Sequence, residues 1–255
     1  MNYIVSSITD IGISKATNQD SHYVAVYSGK KGKYVLAILC DGMGGLEKGE
    51  VASASLTRAF YDWANSRLPY YDSTSVDCEM IKNEWNTLVN EYNEKIKNYS
   101  DQYNISMGTT ITAMLMYEDQ YLILNVGDTR VYEINENAYF ITMDHSVVAK
   151  EVEQGYLTWE QAEKDYRRSV LLQCVGASDV VVPDFYQGII RQNIVYMLCS
   201  DGFRHEITPQ EIQQYLNPNQ MLNEEGMKSN MKALVELNKQ REERDNITVI
   251  SIRTF

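Results

Sequence analysis

The sequence predicts an α+β fold, a four-layer α/β/β/α sandwich of two mostly antiparallel sheets flanked by helix pairs. Three observations carry this prediction. Apolar strand-like runs occur as hairpins joined by short polar turns. Two long amphipathic helical patterns lie together after the first hairpin, and a second pair of helical patterns precedes the last strand. Hairpins grouped in this way favour antiparallel pairing over a regular alternation of parallel strands and crossover helices. No internal repeat and no Pro/Gly-rich linker divides the chain, so one domain over residues 1–255 is expected.

Taken in order, "YVAVYS" and "YVLAILC" flank "GKKGK", a Gly/Lys turn, and form the first hairpin. Residues 48–67 place Ala52, Leu56, Ala59, Phe60 and Trp63 on one helical stripe. Residues 78–99 place Ile81, Trp85, Leu88, Tyr92, Ile96 and Tyr99 at steps of three and four. "GTTITAMLMY", "QYLILNV", "TRVYEI" and "AYFITM" then read as strands. A polar, helix-prone region of about residues 146–168 interrupts them. Strands resume at "DFYQGII" and "NIVYMLC", helices follow at about 208–216 and 227–239, and "NITVISI" is the last strand.

Composition narrows the function. Thirty-five acidic residues against twenty-three basic ones give a formal charge of −12, which excludes the basic patch a nucleic-acid partner demands. No apolar run is long enough to cross a membrane, and the N-terminus shows no signal peptide. Cys40, Cys78, Cys174 and Cys199 form no CxxC pair; Cys40 and Cys199 sit in apolar runs as small buried hydrophobes. A reduced, cytoplasmic, soluble protein is expected.

Four aspartates share one context. Asp41 follows "YVLAILC", Asp128 follows "YLILNVG", Asp201 follows "IVYMLCS", and Asp245 precedes "NITVISI". One such aspartate is ordinarily a turn or a cap. Four of them, three with an adjacent glycine (Gly42, Gly127, Gly202), are harder to dismiss, because glycine lets backbone approach a ligand and frees its carbonyl. If these strand ends converge, the carboxylates cannot all stay ionised unless cations neutralise them. All-oxygen ligands select Mg²⁺ or Mn²⁺ rather than zinc. His22, His145 and His205 are scattered, with His22 at a strand start and His205 after a loop, so histidine ligation is not expected. Other chemistries fail on spacing. No GxxxxGK[ST] loop and no GxSxG elbow is present, and Arg204 follows Cys199 one residue too early for a cysteine phosphatase loop.

The order of motifs resembles the protein phosphatase 2C family of metal-dependent Ser/Thr phosphatases, in its compact bacterial form. The resemblance rests on "NQD" at 18–20, "DGMGG" at 41–45, "GTT" at 108–110, "VGDTRVY" at 126–132, "DHS" at 144–146, "CSDGF" at 199–203 and "DNIT" at 245–248. It implies the same layered sandwich, and hydrolysis of phosphoserine and phosphothreonine in proteins by a metal-activated water. By resemblance, Asp41 bridges two Mn²⁺ or Mg²⁺ ions with the Gly42 carbonyl on one of them. Asp201 and Asp245 complete the other, and Asp128 corresponds to the ligand of a third, weaker ion. Asp20 would orient waters behind the ions, and Asn246 would fix its loop.

Two departures stand out. The family pattern RxxNED reads here as Lys15, Ala16, Thr17, Asn18, Gln19, Asp20. Lys15 replaces the usual phosphate-binding Arg, and Gln19 replaces a Glu that touches a metal water. "GTT" suits a strand start and close strand packing, and "DHS" suits a helix cap at Ser146 or Asp144. The charged segment of about 146–168 corresponds to a flap beside the cleft. The implied partners are phosphorylated proteins and a cognate Ser/Thr kinase, and the implied state is a monomer. A catalytically silent regulator of the same fold is the alternative, which loss of the metal aspartates would mark. A phosphatase for an anti-sigma-factor antagonist is a substrate variant of the main reading.

Overall fold

The computed structural model describes residues 1–43 and 48–255. Gly44 and Gly45 of "DGMGG" therefore lie outside the described residues. The chain begins with β1 (Tyr3–Asp10), β2 (Asp20–Gly29) and β3 (Gly32–Asp41), followed by the long helices α1 (Gly49–Ser73) and α2 (Cys78–Tyr103). Strands β4 (Ile111–Tyr117), β5 (Gln120–Val126), β6 (Arg130–Ile134) and β7 (Ala138–Phe140) come next, then the short helices α3 (Val147–Glu153) and α4 (Trp159–Lys164). Strands β8 (Asp184–Ile189) and β9 (Val195–Cys199) lead into the one-turn α5 (Asp201–Arg204), α6 (Pro209–Leu216), α7 (Glu224–Gln240) and β10 (Ile247–Thr254).

Two five-stranded sheets result, ordered β1-β10-β9-β6-β7 and β2-β3-β4-β5-β8, and every described pairing is antiparallel. Strand β3 shows why its sequence is apolar without a break. Val35, Ala37 and Leu39 pack into the core between the sheets, whereas Leu36, Ile38 and Cys40 pack against α1 and α2. With both faces covered, period-two alternation separates two cores instead of core from solvent. The other sheet does the same. Leu198, Ile250 and Ile252 face the middle, and Met197, Cys199 and Val249 meet α6 and α7. Trp85 of α2 sits at the centre of the helical layer, with its ring centroid 5.4 Å from that of Phe60 and 5.3 Å from that of Trp63.

Four elements depart from the sequence expectation. Strand β1 is additional: its Ser and Thr residues hide the pattern, yet Ile4 and Ile8 meet one core and Tyr3 and Val5 the other. Helix α1 runs past residue 67 and through Pro69, because burial of Leu68 and Tyr71 outweighs the lost backbone bond. β7 ends at Phe140, not at Met143. The segment of 146–168 forms two short helices, with Ser146 as N-cap accepting from the Ala149 amide and Thr158 closing a capping box with Gln161.

Antiparallel order is what positions the site. Pairing of Asp20 with Asp41 and of Ile111 with Val126 brings the start of β2, the end of β3, the start of β4 and the end of β5 to one rim. In the other sheet, Asp10 pairs with Ile247, Val249 with Cys199, and Arg130 with Cys199. The start of β10, the end of β9 and the start of β6 thus share a rim too. Asp128 lies on the connection that passes from one sheet to the other at that rim.

Candidate active site

Five aspartates meet where these strand ends converge. A cleft is lined by Lys15, Asp41, Met43, Thr110, Asp128, Ser169, Leu171, Asp201 and Asp245. Asp20 lies behind it, opposite Asp41 in the β2–β3 register. Among the described residues, no three Asp, Glu, His or Cys side chains close into a finished ligand cage. The carboxylates line an open cleft instead.

Each is held by specific local chemistry. Asp41 is fixed through its backbone by "GTT": Thr110 N and Thr109 Oγ1 donate to its carbonyl at 2.9 and 3.0 Å, and its own N–H donates to Thr110 Oγ1 at 3.0 Å. This motif is more than a strand start, since β4 begins only at Ile111. Gly42 is required by the backbone packed around it. A Cβ there would stand 2.5 Å from the Gln19 carbonyl oxygen and 2.6 Å from that of Gly49. Gly127 has φ +107°, and a Cβ would meet the Thr110 methyl at 2.5 Å, so the turn presenting Asp128 needs glycine. Asn246 accepts from Gln19 N–H at 2.9 Å and donates to the Ile11 and Thr17 carbonyls, which ties the 11–19 loop to the start of β10. The side chain of Gln19 lies against Gly49 at the start of α1 and does not line the cleft.

Charge in the cleft is far from balanced. Thr248 donates to Asp20 Oδ2 at 2.6 Å, while Asp20 Oδ1 is buried with no hydrogen-bond partner. Removal from water, reinforced by Asp201 and Asp245, pushes Asp20 up to about 7. Asp128 is likewise pushed up to about 7 by burial and then by Asp201. Asp41 is driven well above the carboxylate range, by burial first and then by the aspartates around it. Asp201 is the exception: burial would raise it, but the His205 and Arg204 charges together hold it below its ordinary value. Lys15 places its ammonium 2.8 Å from Asp245 Oδ1. Burial opposes its charge, yet the bond to Asp245 keeps its pKa raised.

The surroundings include residues that the sequence reading passed over. His205 does not follow a loop. It closes α5, with Nε2 3.5 Å from Asp201 Oδ2 and Nδ1 3.4 Å from Glu243 Oε2. Arg204, dismissed above as a spacing accident, donates to the Asp128 carbonyl at 3.1 Å. Asp144 caps no helix; it receives a two-pronged bond from Arg130 at 2.8 and 2.7 Å. His145 accepts from Gly127 N–H at Nδ1 (3.2 Å), its backbone N–H donates to the Gly127 carbonyl, and its Nε2 meets Asp184 at 3.0 Å. Ser169 and Leu171, just after the flap segment, reach the cleft because Val147 and Leu172 bond across to Val170 and His145.

The fold and this cleft can now be set beside known proteins. The sequence profile of the family described as Protein phosphatase 2C matches residues 13–247. The chain belongs to the protein phosphatase 2C family. It is 32% identical over 212 residues to the protein phosphatase PhpP of Streptococcus pneumoniae, covering 82% of each chain. The solved serine/threonine phosphatase of S. agalactiae superposes with a TM-score of 0.83 at 28% identity, covering 100% of both chains. The catalytic domain of the serine/threonine protein phosphatase PstP, solved with two manganese ions, gives a TM-score of 0.76 at 25% identity, over 99% of both chains. Protein phosphatase 2C enzymes depend on divalent metal. No helix of the described residues is long and apolar enough to cross a membrane.

The raised carboxylates make stability depend on pH. Asp20, Asp41 and Asp128 bind protons in the folded state that the unfolded chain has already lost above about pH 4. Their stabilisation is full below that pH; the share of Asp20 and Asp128 is lost as pH rises through about 7, and that of Asp41 is lost as pH rises through its own raised value. Asp201 acts oppositely, with stability lost only as pH falls below about 4. In chelator, the melting temperature should therefore fall between about pH 5 and pH 8, and added Mn²⁺ should flatten the curve. A metal-free melting temperature that rises across this window would contradict the assignment.

Proposed function

We propose that this chain hydrolyses phosphoserine and phosphothreonine in proteins, using Mn²⁺ or Mg²⁺ held by the cleft carboxylates. The observation that carries the reading is the convergence of Asp20, Asp41, Asp128, Asp201 and Asp245 around one cleft that also holds Lys15. The residues fit such ions. All donors are oxygens, Asp20 Oδ1 has no partner, and the mutual repulsion that raises Asp41 is relieved by a dication. Asp41, Asp201 and Asp245, with the Gly42 carbonyl, would hold two ions that share Asp41. Asp128 would serve a third, weaker one.

Bound ions of this kind supply an activated water and neutralise phosphoryl charge. The chain's own groups do the rest. Asp20, anchored by Thr248 at one oxygen, keeps Oδ1 free to hold a proton or to take a hydrogen bond from water. Lys15 brings a positive charge to the same cleft, where it can neutralise a phosphoryl oxygen; unlike Arg it does so as a point charge and not as a two-pronged fork. Ser169 and Leu171 form the flap's side of the cleft, against which the phosphorylated chain would lie. The silent-regulator alternative loses its motive, because every aspartate whose loss would mark it is present. In this reading the protein works as a cytoplasmic monomer, opposite a Ser/Thr kinase that phosphorylates the same proteins.

The test is initial-rate hydrolysis of a phosphothreonine peptide with Mn²⁺, with Mg²⁺ and with chelator. Turnover is expected with either ion and none with chelator, and Asp201→Asn or Asp245→Asn should abolish it while circular dichroism stays unchanged. Near-normal turnover by either variant at saturating Mn²⁺ would refute the ligand assignment. Under the same conditions Lys15→Ala should lose about tenfold to a hundredfold in kcat/KM, mostly through KM, as expected for one charge-assisted hydrogen bond. Unchanged constants would remove Lys15 from the site.

A further inference from the structure

A buried chain of charges runs from the flap to Asp128. Arg130 opens β6 two residues after Asp128, and its guanidinium lies over two rings. Its Cζ lies 4.8 Å from the Phe140 centroid and 5.1 Å from that of Trp159, the first residue of α4 in the flap. The two rings meet edge to face, 5.1 Å apart. Nε and Nη2 of Arg130 donate to the two Asp144 oxygens, and Nη1 donates to the Tyr132 hydroxyl at 3.3 Å. Asp144 Oδ2 also takes a bond from Arg204 Nη2 at 3.4 Å. That same nitrogen donates to the Asp128 carbonyl at 3.1 Å and stands 3.8 Å from Asp128 Oδ2. The side chains of Arg130, Asp144, Arg204 and Asp128 are each 10% exposed or less. Such a network tolerates little slack, since water cannot replace a lost partner.

The flap buries Val148, Ala149 and Ala162, and a space remains between them and this chain. Between α3, α4 and α6 lies a cavity of about 40 Å³, lined by Trp159, Arg130, Asp144, Arg204 and Ile212 among others. That is room for about one water molecule. Trp159 on Arg130 is an aromatic contact through which the flap touches the charged chain.

We propose that the flap sets the position of Asp128 through this relay. Trp159 covers the Arg130 guanidinium, Arg130 fixes both oxygens of Asp144, and Asp144 orients Arg204. Arg204 then clamps the main chain of Asp128 and faces its carboxylate. Arg204 is a positioning residue for Asp128, and Trp159 is the flap's hold on it. A phosphoprotein pressing on the exposed flap tyrosines, Tyr156 and Tyr166, would be registered at Asp128 by this route. The inference rests on the reading of Asp128 as a ligand for metal.

The experiment pairs calorimetric titration of Mn²⁺ into each metal-free protein, in which Trp159→Ala should weaken the binding step that Asp128→Ala removes, with hydrolysis of p-nitrophenyl phosphate, a substrate too small to need the flap, over a range of Mn²⁺ concentrations. Wild type is compared with Trp159→Ala, Trp159→Phe, Asp128→Ala and the double variant Trp159→Ala/Asp128→Ala. Trp159→Ala should lower kcat and raise the Mn²⁺ concentration for half-maximal rate, together by roughly threefold to thirtyfold, the range for a stacked guanidinium. KM for p-nitrophenyl phosphate should not move, and Trp159→Phe should restore wild-type behaviour. The double variant should fall no further than Asp128→Ala alone, because the effect of Trp159 passes through Asp128. Multiplicative losses in the double variant, or a Trp159→Ala enzyme with wild-type metal dependence, would overturn the relay. Absence of Mn²⁺-dependent turnover in wild type would overturn the phosphatase reading itself, so the two failures are distinguishable.

Discussion

Asp20 and Asp41 stand opposite each other across β2 and β3, at the rim where both sheets end. Two carboxylates paired across adjacent strands repel, and removal from water makes the repulsion costlier. Within the hairpin only a proton held by Asp41 eases it; Thr248 satisfies one oxygen of Asp20 from β10. Asp201 and Asp245 add charge to the same place instead of removing it. A fold that keeps this arrangement carries a standing demand for cations, and that demand gives the cleft its chemistry.

The architecture makes the crowding possible without unfolding the rim. Antiparallel order returns alternate starts and ends of strands to one side of the molecule, so residues distant in sequence arrive together on rigid elements. Partial compensation then separates the aspartates by role. Asp201 has His205 and Arg204 nearby and stays below its ordinary pKa; Asp245 has Lys15; Asp20 and Asp41 have no comparable cation and are driven upward. Beyond this layer, Asn246, His145 and the threonines of "GTT" spend their hydrogen bonds on backbone, holding the loops that carry the aspartates.

Much of this was legible in the sequence, for physical reasons. Runs such as "YVLAILC" admit no exposed face, so the two-sided burial of β3 and the strand-end position of Asp41 followed from composition alone. The amphipathic periods of α1 and α2 were equally plain. What escaped notice was the part of the site made of ordinary-looking polar residues. Arg130, Asp144 and Arg204 lie far apart in the chain and carry no local period, and only tertiary packing pairs them. Strand β1 escaped because its serines face sheet neighbours rather than a simple apolar core. The continuation of α1 past Pro69 escaped because burial overrode a local stop signal. The glycines singled out for close approach also make way for protein, Gly42 for backbone and Gly127 for a threonine methyl.

The central claim is that the buried aspartates hold protons which divalent cations displace. Calorimetric titration of Mn²⁺ into metal-free protein at about pH 6, in two buffers of different ionisation enthalpy, measures this directly. With Asp20 and Asp128 pushed up to about 7 and Asp41 also raised, binding should release about one proton or more per chain, and the observed heat should change with the buffer. Binding heats identical in the two buffers would mean that the carboxylates were already ionised, and would contradict the account.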